Sequence, residues 1–137
     1  TTLNPNLGVA VYDDKEITLA DIPGLIEGAH EGVGLGTKFL KHIERCKILL
    51  HMIDVSNEDL VLSYKQIRNE LKKYSNDLIR KKEIIVFNKI DIIGQKELKE
   101  KIKYFEQKIK KKVNILSNVD KKLILKLKSS LVGYVFK

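Results

Sequence analysis

The sequence predicts a three-layer α/β fold in which a mostly parallel sheet is flanked by helices and carries one antiparallel hairpin. Three observations lead there. Short apolar runs of strand character alternate with longer segments whose apolar residues recur every three or four positions, the pattern of strand–helix–strand units. The two stretches richest in chemistry, around Asp21 and around Asn88, each leave the C-terminal end of an expected strand, which is where open α/β sheets gather their ligands. The length of 137 residues, with 43% hydrophobic content, suits one domain with a real core, so residues 1–137 are expected to form a single domain.

Taken in order, Leu7 to Tyr12 and Glu16 to Ala20 read as an antiparallel hairpin joined by Asp13-Asp14-Lys15. Residues 21–36 follow as a loop holding five of the chain's eight glycines, a concentration whose backbone entropy an ordinary connection gains nothing from losing. Thr37 then caps a helix with Phe39, Leu40, Ile43 and Cys46 on one side. Ile48 to Val55 is a buried strand, and Asp54 at its end is placed to cap the next helix. That helix, from about Asn57 to Arg80, spaces Leu60, Tyr64, Ile67, Leu71, Tyr74 and Leu78 alternately by four and three, which makes them core residues. Glu83 to Phe87 is short and β-branched enough to be a strand buried on both faces. An amphipathic helix near Lys96 to Lys112 carries Leu98, Ile102, Phe105 and Ile109, and Val113 to Leu116 reads as the last strand. From Asp120 onward, Leu123, Ile124, Leu127 and Leu131 suit a closing helix, while Leu123, Leu125 and Leu127 also alternate as a strand would.

The chemistry lies in the loops after the strands. An aspartate at a strand's end, such as Asp21, repels a phosphate directly but holds Mg²⁺, which then meets the phosphate. Three residues on, after Ile22 and Pro23, Gly24 has no Cβ, so its backbone N–H can approach a terminal phosphate oxygen. After the second strand comes Asn88-Lys89-Ile90-Asp91. A carboxylate at Asp91 can accept from both N1–H and the exocyclic amine of guanine, a donor pair that adenine does not present. Asn88 can bond the N7 and O6 side of that base, and the stem of Lys89 can lie flat over its ring.

Asp21-Ile22-Pro23-Gly24-Leu25-Ile26-Glu27-Gly28-Ala29-His30-Glu31-Gly32-Val33-Gly34-Leu35-Gly36, preceded by Thr1-Thr2-Leu3-Asn4-Pro5-Asn6-Leu7-Gly8-Val9 and followed by Asn88-Lys89-Ile90-Asp91, resembles the Obg family of GTPases. The resemblance is close over roughly residues 1 to 91 and looser beyond. It implies a Ras-like G domain of the P-loop NTPase class, binding of GTP and GDP with Mg²⁺ as cofactor, slow GTP hydrolysis, and a partner in the large ribosomal subunit or its rRNA. It also implies that Thr1 or Thr2 reaches the metal and the γ-phosphate, with Thr2 and Asp21 as the metal-side residues and the choice between the threonines left open. The family ends its last strand with Ser-Ala, whose backbone N–H bonds the guanine O6. Here the pair is Ser117-Asn118. Leu25 stands after Gly24 where many G domains carry a water-orienting Gln, so hydrolysis is expected to be slow.

One part of the family pattern is not found. No Gly-x-x-x-x-Gly-Lys-Ser/Thr phosphate loop occurs among these residues, and no Met opens them, so the chain is expected to begin partway through a G domain. The alternative reading is a non-enzymatic remnant or an interaction module with little nucleotide binding. No apolar run approaches a membrane span and no signal peptide is seen, so the expectation is a cytoplasmic protein with no membrane partner. Cys46 has no second cysteine to pair with and reads as a buried structural thiol, and His30, His42 and His51 are not spaced as a metal site and read as structural or surface residues. The +8 charge lies wholly C-terminal: residues 1–91 hold 13 basic and 14 acidic side chains, residues 92–137 hold 13 and 4. All 13 of the latter bases are lysine, which fits a solvated face and also permits contact with RNA. No DNA partner is expected.

Overall fold

A computed structural model of the chain describes residues 7–20, 46–74, 76–117 and 119–136. Strands β1 (Leu7–Tyr12) and β2 (Lys15–Ala20) form the antiparallel hairpin, in a register that sets Leu7 opposite Ala20 and Tyr12 opposite Lys15. Lys15 therefore opens β2, leaving a two-residue turn of Asp13 and Asp14, with φ of 51° and 62°. Positive φ at both central residues is what the twist of a two-residue hairpin demands, and aspartate tolerates it better than most side chains.

The parallel sheet has the order β3-β4-β5, from β3 (Ile48–Asp54), β4 (Lys82–Asn88) and β5 (Val113–Ile115). Its register sets Ile48 beside Lys82 at one end and Asp54 beside Asn88 at the other. Because β4 is central, four consecutive residues, Ile84, Ile85, Val86 and Phe87, are buried. Their side chains alternate between two apolar layers. Ile85 and Phe87 join Ile53, Val55, Leu60, Tyr64 and Phe105 under helices α1 (Leu60–Tyr74) and α3 (Gln95–Ile109). Phe105 meets Phe87 and Tyr64 edge to face, with ring centroids 5.1 and 5.4 Å apart, an arrangement that aligns ring edges with ring faces. Ile84 and Val86 point the other way, joining Leu116, Leu131 and Val132 of the α4 side (α4, Lys121–Val135) and Ile17 of the hairpin. The result is helix, sheet, helix, with the hairpin packed against α4, as the alternating pattern predicts.

Local chemistry moves several boundaries. The first helix begins at Leu60 rather than Asn57, because Asp59 accepts the backbone N–H of Leu62 at 2.9 Å while Asn57 turns back to the Asp54 carbonyl. It runs to Tyr74, and a separate turn α2 (Asn76–Ile79) buries Leu78. Of its expected core set, Leu60, Tyr64, Leu71 and Leu78 are buried and Ile67 half-buried. Helix α3 stops at Ile109, short of Lys112, since Lys110 adopts φ 62° and the Glu106 carboxylate takes the backbone N–H of Val113 at 2.8 Å. Strand β5 ends one residue early, although the Leu116 N–H still donates to the Phe87 carbonyl at 2.8 Å. The closing segment is a helix: Asp120 caps it by accepting from Lys122 and Leu123, and the alternation through Leu125 leaves that residue exposed. Cys46 is half-buried, and burial raises its thiol above the usual range. The helix expected after Thr37 lies outside the described residues.

Candidate functional site

The parallel register brings the ends of β3 and β4 side by side, and the candidate site is built on that edge. Asn88 closes β4, and its carbonyl accepts the Val55 N–H at 3.1 Å, tying the two strand ends together. The Asn88 side-chain oxygen accepts the Lys89 N–H at 2.9 Å, a local bond that fixes the first step of the loop. Lys89 then takes the left-handed conformation, φ 61° and ψ 35°, which costs a side-chain-bearing residue energy and turns the chain sharply into a 3₁₀ turn over Ile90–Ile92.

Asp91 sits exposed in that turn. From the end of β5, Ser117, only 3% exposed, donates its hydroxyl to Asp91 Oδ1 at 2.8 Å, and the Ile90 N–H reaches the Leu116 carbonyl at 3.4 Å. One carboxylate oxygen is thereby oriented while acceptor capacity remains on both. Asn88, Lys89, Asp91 and Ser117 are thus gathered at the C-terminal ends of β4 and β5. Ser117 enters through its side chain, whereas the family pattern at Ser117-Asn118 implies a backbone N–H.

Asp54 was expected to cap a helix and instead faces this loop. Its Oδ1 accepts the Ser56 N–H at 2.9 Å and the Ser56 hydroxyl at 2.7 Å, and its Oδ2 lies 3.0 Å from the Lys89 ammonium. The Ser56 backbone and side-chain bonds, followed by the bond from Lys89, hold the Asp54 carboxyl down at about 2. Nothing in residue spacing announces this pairing, because it depends on a register in which Asp54 stands beside Asn88.

Thr1, Thr2, Asp21, Ile22, Pro23, Gly24 and Asn118, and with them the phosphate and metal side of the expected site, lie outside the described residues. Among the described residues no group of three His, Cys, Asp or Glu side chains could hold a metal ion, and no helix is long and apolar enough to cross a membrane. His51 is engaged elsewhere. At the N-terminal end of β4 it approaches the buried Glu83 carboxylate at 3.4 Å, alongside Tyr64 at 2.5 Å, Arg68 at 3.4 Å and Lys111 at 3.3 Å. Burial alone would raise the Glu83 carboxyl, but the bonds from His51 and Tyr64 and the Arg68 charge outweigh it and hold it down at about 2. Burial and the Glu83 contact push the Tyr64 hydroxyl up. This cluster braces the sheet at the end opposite Asn88.

The family model described as 50S ribosome-binding GTPase matches residues 1–89. The chain is similar to the protein named GTPase Obg from Pelagibacter ubique (strain HTCC1062), 62% identical over 98% of this chain and 41% of that protein. It is also similar to GTPase Obg from Wolbachia pipientis wMel, 52% identical over 94% of this chain and 38% of the relative, and from Ehrlichia chaffeensis, 49% identical over 100% and 40%. The chain spans about two fifths of the length of these relatives.

Proposed function

We propose, because the chain belongs to the Obg family of GTPases, that it forms the guanine-reading part of a GTP/GDP switch that hydrolyses GTP slowly. The observation that carries the base assignment is the Ser117 hydroxyl on Asp91, 2.8 Å away, which presents a carboxylate beside Asn88 and Lys89 at the end of the sheet. A carboxylate so held suits the two parallel donors of guanine, and the Lys89 stem suits the ring face.

The phosphate end rests on the family resemblance. Gly24 and its neighbours Ile22 and Pro23 follow Asp21, and Asp21 with one of Thr1 and Thr2 would hold Mg²⁺, a hard cation suited to carboxylate and hydroxyl oxygens. The metal, when bound, neutralises charge on the phosphates. Leu25 supplies neither proton nor hydrogen bond to a water, which is the ground for slow turnover. The large ribosomal subunit or its rRNA is the proposed partner, supported by the family's description and by the lysine excess after residue 91, and the cytoplasm is the proposed location.

Asp91→Asn tests the base assignment in the full-length protein. The amide accepts one guanine bond but sets its NH₂ against the exocyclic amine, and unpaired buried groups cost ~1 to 3 kcal/mol each. GTP affinity is expected to fall at least tenfold, on the order of 1.4 kcal/mol. Xanthosine triphosphate, with a carbonyl in place of that amine, should recover it. A competition titration of the two nucleotides decides: a mutant that still prefers GTP removes Asp91 from base recognition.

A further inference from the structure

Lys89 combines two features that stability does not account for. Its backbone sits in the left-handed region at φ 61°, unfavourable for any residue with a Cβ, and the loop holds it there with the Asn88 side chain. Its ammonium is paired at 3.0 Å with Asp54, yet the two side chains are 56% and 35% exposed, so water and salt screen the pair and its contribution to folding is small. Strain plus a weak exposed ion pair suggests a placement held for something other than stability.

Asp54 is itself held firmly. Both Ser56 bonds fall on Oδ1, which fixes the carboxylate plane and turns Oδ2 toward Lys89. A lysine fixed at its backbone by Asn88 and at its ammonium by Asp54 has its four-carbon stem stretched between two anchors, where a free lysine would sample many rotamers.

Resting on the base assignment above, we propose that Asp54 is a positioning residue that holds the Lys89 stem as a preformed apolar surface for the face of the guanine ring. Ordering that stem before the nucleotide arrives lowers the entropy lost on binding, and the gain appears chiefly as slower release. Asp54 touches the base nowhere in this scheme. It acts through Lys89 alone, and the choice between guanine and its analogues stays with Asp91.

The experiment is a double-mutant cycle on the full-length protein, with fluorescent GDP and xanthosine diphosphate as probes, dissociation rates and melting temperature being read for each variant. Asp54→Asn keeps the shape and the Ser56 bonds but removes the charge. It is expected to weaken GDP binding about three- to tenfold, through the off-rate, with the guanine-over-xanthine ratio and the melting temperature unchanged. In a Lys89→Met background the same substitution is expected to do nothing, an outcome that a merely structural role would not produce. Ser56→Ala, which leaves both charges in place, should shift affinity in the same direction by less. The proposal is overturned if Asp54→Asn binds GDP within twofold of wild type, or if its effect persists at full size without the Lys89 ammonium. A wild type indifferent to the base would instead sink the guanine assignment and this inference with it, whereas a guanine-selective wild type with a silent Asp54→Asn sinks this inference alone.

Discussion

The Glu83 carboxylate shows how much one buried charge depends on its surroundings. It is 4% exposed in its side chain, and four groups from β3, α1 and the segment before β5 converge on it: His51, Tyr64, Arg68 and Lys111. Removing the carboxylate leaves those donors facing each other, so Glu83→Gln is expected to destabilise the fold by about 1 to 3 kcal/mol, measured by chemical denaturation. The pH dependence follows from the sign of the shift. A carboxyl held at about 2, below its ordinary value of 4.5, contributes stability that is complete above about pH 4.5 and lost as the pH falls toward 2. Wild type should therefore lose stability through that window more steeply than Glu83→Gln, and equal slopes in acid would show that the cluster does not hold Glu83 ionised. None of this convergence was legible in the sequence. Tyr64 reads as a core residue and His51 as a structural or surface histidine outside any metal site, and neither reading names Glu83 as the partner, since pairing across β3, β4 and α1 depends on register and not on spacing.

Elements were legible where periodicity was strong, and their ends were decided by single side chains. The long apolar spacing through Leu60, Tyr64, Leu71 and Leu78 marked a helix and its buried face, yet its start depends on Asp59 rather than Asn57 capping the first turn. Leu123 to Leu127 fitted helix and strand alike, and the Asp120 cap with burial of Leu131 and Val132 decides for helix. The hairpin carries a cost that a substitution can relieve. Asp13 and Asp14 both hold positive φ, and Asn-Gly is the pair best suited to that turn. Asp13→Asn with Asp14→Gly is expected to raise stability by about 0.5 to 1 kcal/mol, since glycine meets no Cβ penalty there and the loss of its unfolded-state entropy offsets only part of the gain. A lower melting temperature would mean that the two carboxylates do something in the folded state that the turn geometry does not require. The candidate site was legible in type, through Asn88, Lys89 and Asp91, while the Ser117 hydroxyl and Asp54 enter only once parallel neighbours are aligned.

At the scale of the whole molecule, the basic surplus after residue 91 is divided by the sheet rather than pooled. Helix α3 shares its core layer with α1, whereas α4 packs into the opposite layer with the hairpin, so their lysines emerge on different faces. On α3, Lys96, Lys99 and Lys103 are exposed at spacings of three and four, which lines them along one side away from the buried Phe105. Among the described residues none of the three forms an ion pair, whereas Lys101 of the same helix lies 3.7 Å from Glu97. Unpaired lysines in a row are suited to phosphates as point charges and carry no base preference, so any RNA contact here is expected to be electrostatic, insensitive to RNA sequence and indifferent to the bound nucleotide. For single strands each neutralised phosphate contributes about 0.7 to the slope of log affinity against log salt. Replacing Lys96, Lys99 and Lys103 by glutamine should therefore flatten that slope by about 2 in filter-binding or anisotropy titrations with rRNA fragments, while GTP affinity is expected to stay unchanged because the proposed base site lies at the strand ends. If the triple variant keeps the wild-type slope, this face does not meet RNA, and the lysines of α3 serve only to keep a helix surface in water.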